Sequence, residues 1–247
     1  MRLALISDIH GNLPALEAVL SEIEQEGVDE ILCLGDVAVG PQPAETLDRV
    51  RELGCPVVLG NWDAYFIRGF PAHESEIGRQ LVEMGEWWAG HLSAQHRAFI
   101  ETFTDELKRP GLVAFHGSPR SYEDFIYATT PDAELAEMLD GAREPVLAGG
   151  HTHFAMVRHF DAALIVNPGS VGLPFAKREE VMRISPWAEY AILEWDYGDL
   201  SVELRRIDFD VESLLELIRS SGMPHAEWWA GLWFRPPEAG SKQEIPA

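Results

Sequence analysis

Five short apolar runs, each followed at once by polar side chains, constrain the fold of this chain more than any other feature. The runs are "LALIS", "ILCLG", "VVLG", "LVAFH" and "VLAGG". Helical spacing separates the first two, because apolar residues recur at Leu16, Val19, Leu20 and Ile23. Short apolar runs alternating with amphipathic helices are typical of parallel strands that are buried on both faces. The order therefore predicts an α/β fold with a parallel sheet covered by helices.

The first half of the chain gives definite element boundaries. One helix is predicted from about Pro14 to Gly27, and a second from Pro43 to Leu53 with Gly54 as its cap. Residues 72–108 show helical spacing and no strand pattern, which predicts a helical insertion. A further helix is predicted over 131–139, with Thr130 as its cap.

The pattern changes after His153. Two pairs of apolar runs flank short turns there and predict two hairpins, "AMVRHF" with "ALIVNP" and "EYAILEWD" with "LSVELRRIDF". A closing helix is predicted to end at Gly222. We predict a single domain over residues 1–222 and a tail over 223–247 that is first aromatic and then polar.

The charge of the chain limits its partners. The formal net charge is −22, which repels nucleic acid and anionic membranes and attracts cations. We therefore expect no duplex nucleic acid and no membrane as partner. Cys33 and Cys55 lack the spacing of metal ligands or of a disulfide framework, and no secretory signal or membrane-length apolar run is found. These features predict a cytoplasmic protein.

The polar residues that follow the five runs form a candidate metal site. Since ligands in α/β proteins bind at the carboxyl ends of parallel strands, residues from distant segments should meet there. The candidate ligands are Asp8, His10, Asp36, Asn61, His116, His151 and His153. Seven nitrogen and oxygen donors are too many for one tetrahedral ion and suit two divalent ions sharing a carboxylate.

The ordered motifs resemble those of the calcineurin-like metallophosphoesterases. They are Asp8-x-His10, Gly35-Asp36, Gly60-Asn61-x-Asp63, His116-Gly117 and Gly149-x-His151-x-His153. "GDVAVGPQPAE" and "NPGSVGLP" are similar to the small bacterial phosphodiesterase branch of that superfamily. The resemblance runs from Met1 to about Asp208 and implies a four-layer α/β/β/α sandwich.

The resemblance also implies roles for individual residues. Asp8, His10 and His153 would hold one ion, Asn61, His116 and His151 the other, and Asp36 would bridge them. A metal-bridging hydroxide would attack the phosphorus of a small phosphoester. Mn²⁺ is the first choice of metal, with Fe, Zn²⁺, Ni²⁺, Co²⁺ and Mg²⁺ as alternatives. We take Asp36, Asn61, Asp63 and His116 as candidate catalytic residues. Of these, Asp63 would contact the metal ligands and not the ions.

Trp62 departs from the pattern of the family. Many relatives carry a histidine there that stabilises the transition state or protonates the leaving group. An indole cannot act as an acid at neutral pH, and acid catalysis contributes about 10²–10⁴-fold. We therefore expect a slow or selective phosphodiesterase that prefers good leaving groups, in which Trp62 stacks on a base or an aromatic group of the substrate.

Two other functions remain open. The fold also serves as a non-catalytic protein-interaction module in some relatives. A Ser/Thr protein phosphatase is less favoured, because "GDVAVGP" lacks the Asp-Arg of that group.

The aromatic residues near the carboxyl terminus have two interpretations. Trp228, Trp229, Trp233 and Phe234 lie close together in the sequence, as do the two tryptophans at 87 and 88. Core packing is the default. A subunit interface, and so a homo-oligomer, is the alternative, since aromatic residues are enriched in interface cores.

Overall fold

The computed structural model describes residues 1–178, 181–196 and 198–234. Its strands are β1 (Arg2–Ile6), β2 (Glu30–Cys33), β3 (Leu107–Arg109), β4 (Leu112–Ala114), β5 (Val146–Ala148), β6 (Met156–Phe160), β7 (Ala163–Asn167), β8 (Phe175–Arg178), β9 (Val181–Ile184), β10 (Trp187–Asp196) and β11 (Asp199–Asp208). Its helices are α1 (Leu13–Glu26), α2 (Pro43–Leu53), α3 (Asn61–Arg68), α4 (Glu76–Gly90), α5 (Ala94–Ile100), α6 (Asp132–Met138), α7 (Val211–Ser220) and α8 (Ala226–Ala230).

Two mixed sheets replace the single parallel sheet that the strand order predicted. The first has the order β11-β10-β1-β2, and the second has the order β3-β4-β5-β7-β6. The parallel pairs are β1 with β2, β4 with β5 and β5 with β7, while β10 joins β1 in the antiparallel sense. Sequence periodicity reports the burial of a strand and not its neighbours, so it could not separate the two sheets.

Side-chain alternation in β1 defines the layers of the sandwich. Leu3 and Leu5 pack in a core with residues of β4, β5 and β7, which places them between the two sheets. Ala4 and Ile6 point the other way and pack with α1, α2 and α7. A third core lies between the outer face of the second sheet and α6. The α/β/β/α sandwich is therefore confirmed.

Several predicted boundaries are confirmed and others are wrong. Helices α1 and α2 have the predicted bounds, with Gly27 and Gly54 in the left-handed conformation at their ends. The run "PVVLG" forms only isolated bridges, from Val57 to Cys33 and from Val58 to Thr104. Pro56 begins that run and cannot donate a backbone hydrogen bond, which shortens the pairing.

The second half also differs from the predictions in detail. Pro131 and not Thr130 is the cap of α6, because the Thr130 hydroxyl accepts a hydrogen bond from the Tyr127 N–H at 2.8 Å. The insertion over 72–108 is helical, but it ends in strand β3. The hairpin of β8 and β9 and the helix α3 had no clear sequence signal.

The aromatic residues near the carboxyl terminus pack inside the chain. Trp229 is 6% exposed, and its ring lies 5.6 Å from the ring of the fully buried Trp88. Trp233 is buried in the same core. Core packing thus accounts for these residues within one chain, while a homo-oligomer and the division at residue 222 stay predictions. Residues 235–247, the polar end of the predicted tail, lie outside the described residues.

The burial of Trp229 predicts a large effect on stability. Trp229→Ala should lower the free energy of unfolding by about 3–5 kcal/mol, because it leaves a cavity against Trp88. Urea unfolding followed by circular dichroism measures the change. Trp228→Ala is the matched control at a partly buried neighbour and should cost clearly less. Equal losses for the two variants would contradict core packing at Trp229.

Candidate metal centre

The seven predicted ligands meet where the two sheets end. Asp8 and His10 follow β1 and Asp36 follows β2, while Asn61 begins α3. His116 follows β4 of the second sheet, and His151 and His153 follow β5. All are buried except His151, which is partly exposed. The site therefore lies at the junction of the two mixed sheets, beside the ends of their strands.

The backbone at these positions is unusual. Five of the seven residues have a positive φ between 50° and 66°, namely Asp8, His10, Asp36, His151 and His153. Residues other than glycine rarely adopt this conformation, and it costs on the order of 1–3 kcal/mol each. Long-range hydrogen bonds hold it, as in the Asp8 N–H to Gly35 carbonyl contact at 2.9 Å and the His10 N–H to Asp36 carbonyl contact at 3.0 Å.

Asp8, His10 and His153 form the first cluster of donor atoms. The Nε2 atoms of His10 and His153 lie 3.0 Å apart. Asp8 Oδ1 lies 3.2 Å from His153 Nε2 and 3.8 Å from His10 Nε2. The other carboxylate oxygen, Asp8 Oδ2, accepts hydrogen bonds from the Ser7 hydroxyl at 2.5 Å and the His151 N–H at 3.0 Å. Asp8 is thereby oriented with one oxygen toward the two imidazoles.

Asp36, His116 and His151 form the second cluster. His116 Nε2 lies 3.4 Å from Asp36 Oδ2 and 3.2 Å from Asn61 Oδ1. The same Asp36 Oδ2 lies 3.8 Å from His10 Nε2 of the first cluster. The carboxylate of Asp36 thus stands between the two clusters, and its Oδ1 accepts the N–H of Trp62 at 2.9 Å.

Backbone carbonyls fix the tautomers of two histidines. His116 Nδ1 donates to the Leu34 carbonyl at 2.7 Å, and His153 Nδ1 donates to the Leu173 carbonyl at 2.8 Å. A neutral imidazole that donates through Nδ1 keeps a free lone pair on Nε2. Both lone pairs therefore face the clusters.

The electrostatics of the site favour a cation. Although burial opposes it, the Asp36 carboxylate raises the pKa of His116 to about 9. Burial lowers the pKa of His10 and of His151 to about 4. The facing imidazoles outweigh burial at Asp8 and Asp36 and hold the pKa of each carboxyl below its ordinary value. His116 therefore holds a proton at neutral pH when no cation is bound, and a cation would replace that proton among the ionised carboxylates and the neutral imidazoles of His10 and His151.

These donors fit two divalent ions. Two nitrogens bound at about 2.0–2.1 Å to one ion at a right angle are about 3 Å apart, which is the spacing of His10 Nε2 and His153 Nε2. The buried atoms Asp8 Oδ1 and His151 Nε2 have no hydrogen-bond partner among the described residues. Nitrogen and oxygen donors without thiolate suit Mn²⁺, Fe, Zn²⁺ and similar ions.

Asp63 lies behind the clusters. Its carboxylate accepts the N–H groups of Asp36 at 2.7 Å, Val37 at 3.0 Å and Gly60 at 3.3 Å. Burial and the nearby Asp36 charge raise the pKa of Asp63 to about 7. Both oxygens of Asp63 are thus engaged by backbone, which fits a positioning role for this residue.

The side chain of Trp62 packs on its own helix and on the residues that follow it. Its ring lies 5.7 Å from Tyr65 and 6.0 Å from Phe70, and it is partly buried. Contact between Trp62 and a substrate stays a prediction.

The segment "NPGSVG" ties the ligand loops together. The Ser170 hydroxyl donates to the Asp8 carbonyl at 2.7 Å and accepts the Leu173 N–H at 2.7 Å. Asn167 donates to the Gly150 carbonyl at 2.8 Å and to the Thr152 hydroxyl at 3.0 Å. The sequence identified the segment as similar to a family motif and Asn167 as a turn residue, but it gave no sign of these bonds.

Comparison with known proteins gives one matching family. The sequence model of the calcineurin-like phosphoesterase superfamily domain matches residues 1–188, a range that includes all seven candidate ligands. An uncharacterized protein of Methanocaldococcus jannaschii is 28% identical over 248 residues, which cover 92% of this chain and 94% of that protein. Phosphodiesterase YfcE of Escherichia coli strain K12 is 28% identical over 187 residues, which cover 70% of this chain and 81% of that protein.

A solved structure shares the whole architecture. The crystal structure of a metallophosphoesterase from Sphaerobacter thermophilus has a TM-score of 0.74 and 29% sequence identity to this chain. The similarity covers 94% of this chain and 97% of that one, so it includes both sheets.

The bonds of Ser170 predict a loss of stability when its hydroxyl is removed. Ser170→Ala leaves the Asp8 carbonyl and the Leu173 N–H without this partner, which should lower the free energy of unfolding by about 1–3 kcal/mol. Urea unfolding of the metal-free protein measures it. Ser201→Ala, on the exposed side of β11, should change stability by less than about 0.5 kcal/mol. A Ser170 variant as stable as the Ser201 variant contradicts the role of the hydroxyl.

The close approach of Gly60 to Asp36 predicts a separate effect on ion binding. A Cβ at Gly60 would lie 2.1 Å from Asp36 Oδ1 and 2.4 Å from Asp36 N, so Gly60→Ala must displace the central carboxylate. We expect Mn²⁺ affinity, measured by titration calorimetry, to fall by about tenfold or more. Gly90→Ala is the control, since a Cβ there meets nothing within 4 Å. If the Gly60 variant binds Mn²⁺ with unchanged affinity, the close approach of Gly60 to Asp36 does not constrain ion binding.

Proposed function

Because this chain belongs to the calcineurin-like phosphoesterase superfamily, as its motifs predicted, we propose that it is a phosphodiesterase that depends on two divalent metal ions. The observation that carries the proposal is the position of Asp36. One oxygen of its carboxylate lies near a histidine of each donor cluster, at 3.8 Å from His10 and 3.4 Å from His116. A carboxylate shared between two sets of ligands is the arrangement of two-metal hydrolases.

The residues divide between the two ions as their positions suggest. Asp8, His10 and His153 would hold one ion. His116 and His151 would hold the other together with Asn61, whose Oδ1 lies beside His116 Nε2. Asp36 would be shared between the two. When bound, such ions polarise a phosphoryl oxygen and lower the pKa of water. Mn²⁺ is the proposed metal, since the nitrogen and oxygen donors accept it alongside other divalent ions.

The protein contributes position and charge to this chemistry. The carbonyls of Leu34 and Leu173 hold two imidazoles in the tautomer that presents Nε2 to an ion. Asp63 holds the loop of Asp36 through the N–H groups of Asp36 and Val37, so that the shared carboxylate keeps its place. Both devices reduce the reorganisation needed when substrate arrives.

A diester is the preferred substrate class for two reasons. Trp62 occupies the position at which many relatives carry a histidine, so help for a poor leaving group is missing from that side chain. The relative in Escherichia coli is named a phosphodiesterase, and it is 28% identical over 70% of this chain. A small phosphoester suits the site better than duplex nucleic acid, because the formal net charge of −22 repels polyanions.

The structure contains no helix long and apolar enough to cross a membrane in the part of the chain that it describes. A cytoplasmic location is part of the proposal.

The proposed function is tested by comparing esters at saturating Mn²⁺. Bis(4-nitrophenyl) phosphate should be hydrolysed with a much higher kcat/KM than a simple alkyl phosphate monoester. Asp36→Ala should lower the rate on the diester by about 100-fold or more, since even groups behind metal ligands are worth 10–100-fold. Metal analysis should find two ions per chain in the wild type and fewer in this variant.

Asp140 provides the control for the Asp36 variant. Asp140→Ala changes an exposed carboxylate on a remote helix end and should leave the rate unchanged. Equal turnover of the alkyl monoester would exclude the diester preference. Full activity in Asp36→Ala would contradict the role of the shared carboxylate. Metal binding without any hydrolysis would favour the non-catalytic interpretation.

A further inference from the structure

Two exposed aromatic side chains lie at the mouth of the metal centre. Phe125 is 50% exposed and Tyr127 is 39% exposed, which is unusual for rings of this size. Their planes are 9° apart, with centroids separated by 6.0 Å, so both rings face the same way. We call Phe125 and Tyr127 the aromatic platform.

The platform is continuous with the donor clusters. The Phe125 ring lies 4.3 Å from the ring of His151, a member of the second cluster. From Tyr127, contacts lead through Phe154 at 6.2 Å and Phe175 at 6.3 Å to His153 of the first cluster, 4.4 Å from Phe175. A phosphoester bound at the clusters would therefore carry its substituent against these rings.

The backbone under the platform is held from both sides. The Ser118 hydroxyl donates to Asp124 at 2.6 Å, and the Tyr127 N–H donates to Thr130 at 2.8 Å. Arg158 donates to the carbonyls of Tyr127 at 3.2 Å and Thr130 at 2.6 Å. A loop whose backbone is ordered before a ligand arrives loses little entropy on binding.

The surroundings of the platform select against a second anionic group. A pocket of about 490 Å³ adjoins both rings, and Glu123 and Glu134 are among its lining residues. Asp124 also lines it but is paired with Arg120 at 2.6 Å. Acidic walls beside aromatic faces favour an uncharged planar group, including one with N–H donors, over a phosphate or a carboxylate.

We infer that the aromatic platform binds a planar aromatic substituent of the phosphoester substrate by stacking. The inference deepens the proposed function and rests on it, since it names the substrate class of the same site. The sequence led us to expect an aromatic contact at Trp62, but the ring of Trp62 packs against Tyr65 and Phe70. We now assign that contact to Phe125 and Tyr127.

A binding experiment without turnover tests the inference. Phenylphosphonate and methylphosphonate carry the same phosphorus group, and neither is hydrolysed. Titration calorimetry on the Mn²⁺-loaded protein should show about tenfold tighter binding of phenylphosphonate, because stacking on an aromatic side chain is typically worth about fivefold or more. The double variant with Phe125→Ala and Tyr127→Ala should lose this preference and keep the affinity for methylphosphonate.

Two further variants make the result specific. Leu204→Ala removes an equally exposed apolar side chain from β11 and should keep the preference. Tyr127→Phe keeps both rings and should also keep it. Equal affinity for the two phosphonates in the wild type, or a preference that survives loss of both rings, overturns the inference.

Kinetics distinguish the source of the aromatic group. The 4-nitrophenyl ester of thymidine 5′-monophosphate and ethyl 4-nitrophenyl phosphate share a leaving group and differ in the retained group. If a nucleobase stacks on the platform, the double variant should raise KM for the nucleoside ester alone. If small aryl groups occupy the platform, the double variant should raise KM for both esters, because both carry the 4-nitrophenyl group.

These outcomes also separate the two proposals. If the protein prefers phenylphosphonate but hydrolyses no diester, the inference about the platform stands and the proposed function is wrong. If it hydrolyses diesters but shows no preference for an aromatic group, the proposed function stands and the inference is wrong.

Discussion

The burial of ionised carboxylates among imidazole lone pairs is the interaction on which the site depends. Asp8 and Asp36 are almost completely buried, and each faces the Nε2 atoms of two histidines within 4 Å. Such a gathering of acceptors is costly in a medium of low dielectric constant unless positive charge enters it. A pair of divalent cations supplies that charge in the proposed function, and the acidic chain attracts cations from solution.

The rest of the fold keeps these groups in place. A continuous apolar core between the sheets fixes β1 and β2 against β4 and β5, so the loops that follow them emerge side by side. Backbone strain is concentrated in the same loops, where five ligand candidates have positive φ. This conformation is held by the Asp63 carboxylate, which accepts the N–H groups of Asp36 and Val37, and by the Ser170 hydroxyl, which donates to the Asp8 carbonyl. The stability that core packing provides therefore offsets the cost of the strained backbone at the site.

The arrangement also explains how the fold can separate chemistry from specificity. The donor clusters come from strand ends whose positions the sheets dictate. The aromatic platform comes from the loop after His116, which is held by side-chain hydrogen bonds of Asp124, Thr130 and Arg158 and does not pair with any strand that the structure describes. A loop of this kind can change its side chains without moving the clusters, so substrate preference can vary on a constant metal centre.

The sequence by itself determined several local elements and the identity of the candidate ligands. Helical periodicity and glycine caps located α1 and α2, and the polar residues after each apolar run marked Asp8, Asp36, His116 and the pair after β5. Those signals are local, since each depends on residues within one turn or one strand. The tertiary structure decided that the sandwich has two mixed sheets, that one oxygen of Asp36 faces both clusters, and that Leu34 and Leu173 set two tautomers. It also decided that Phe125, and not Trp62, is the ring against His151. These features arise from contacts between residues 20 to more than 140 positions apart, and no pattern in a short window of sequence encodes such contacts.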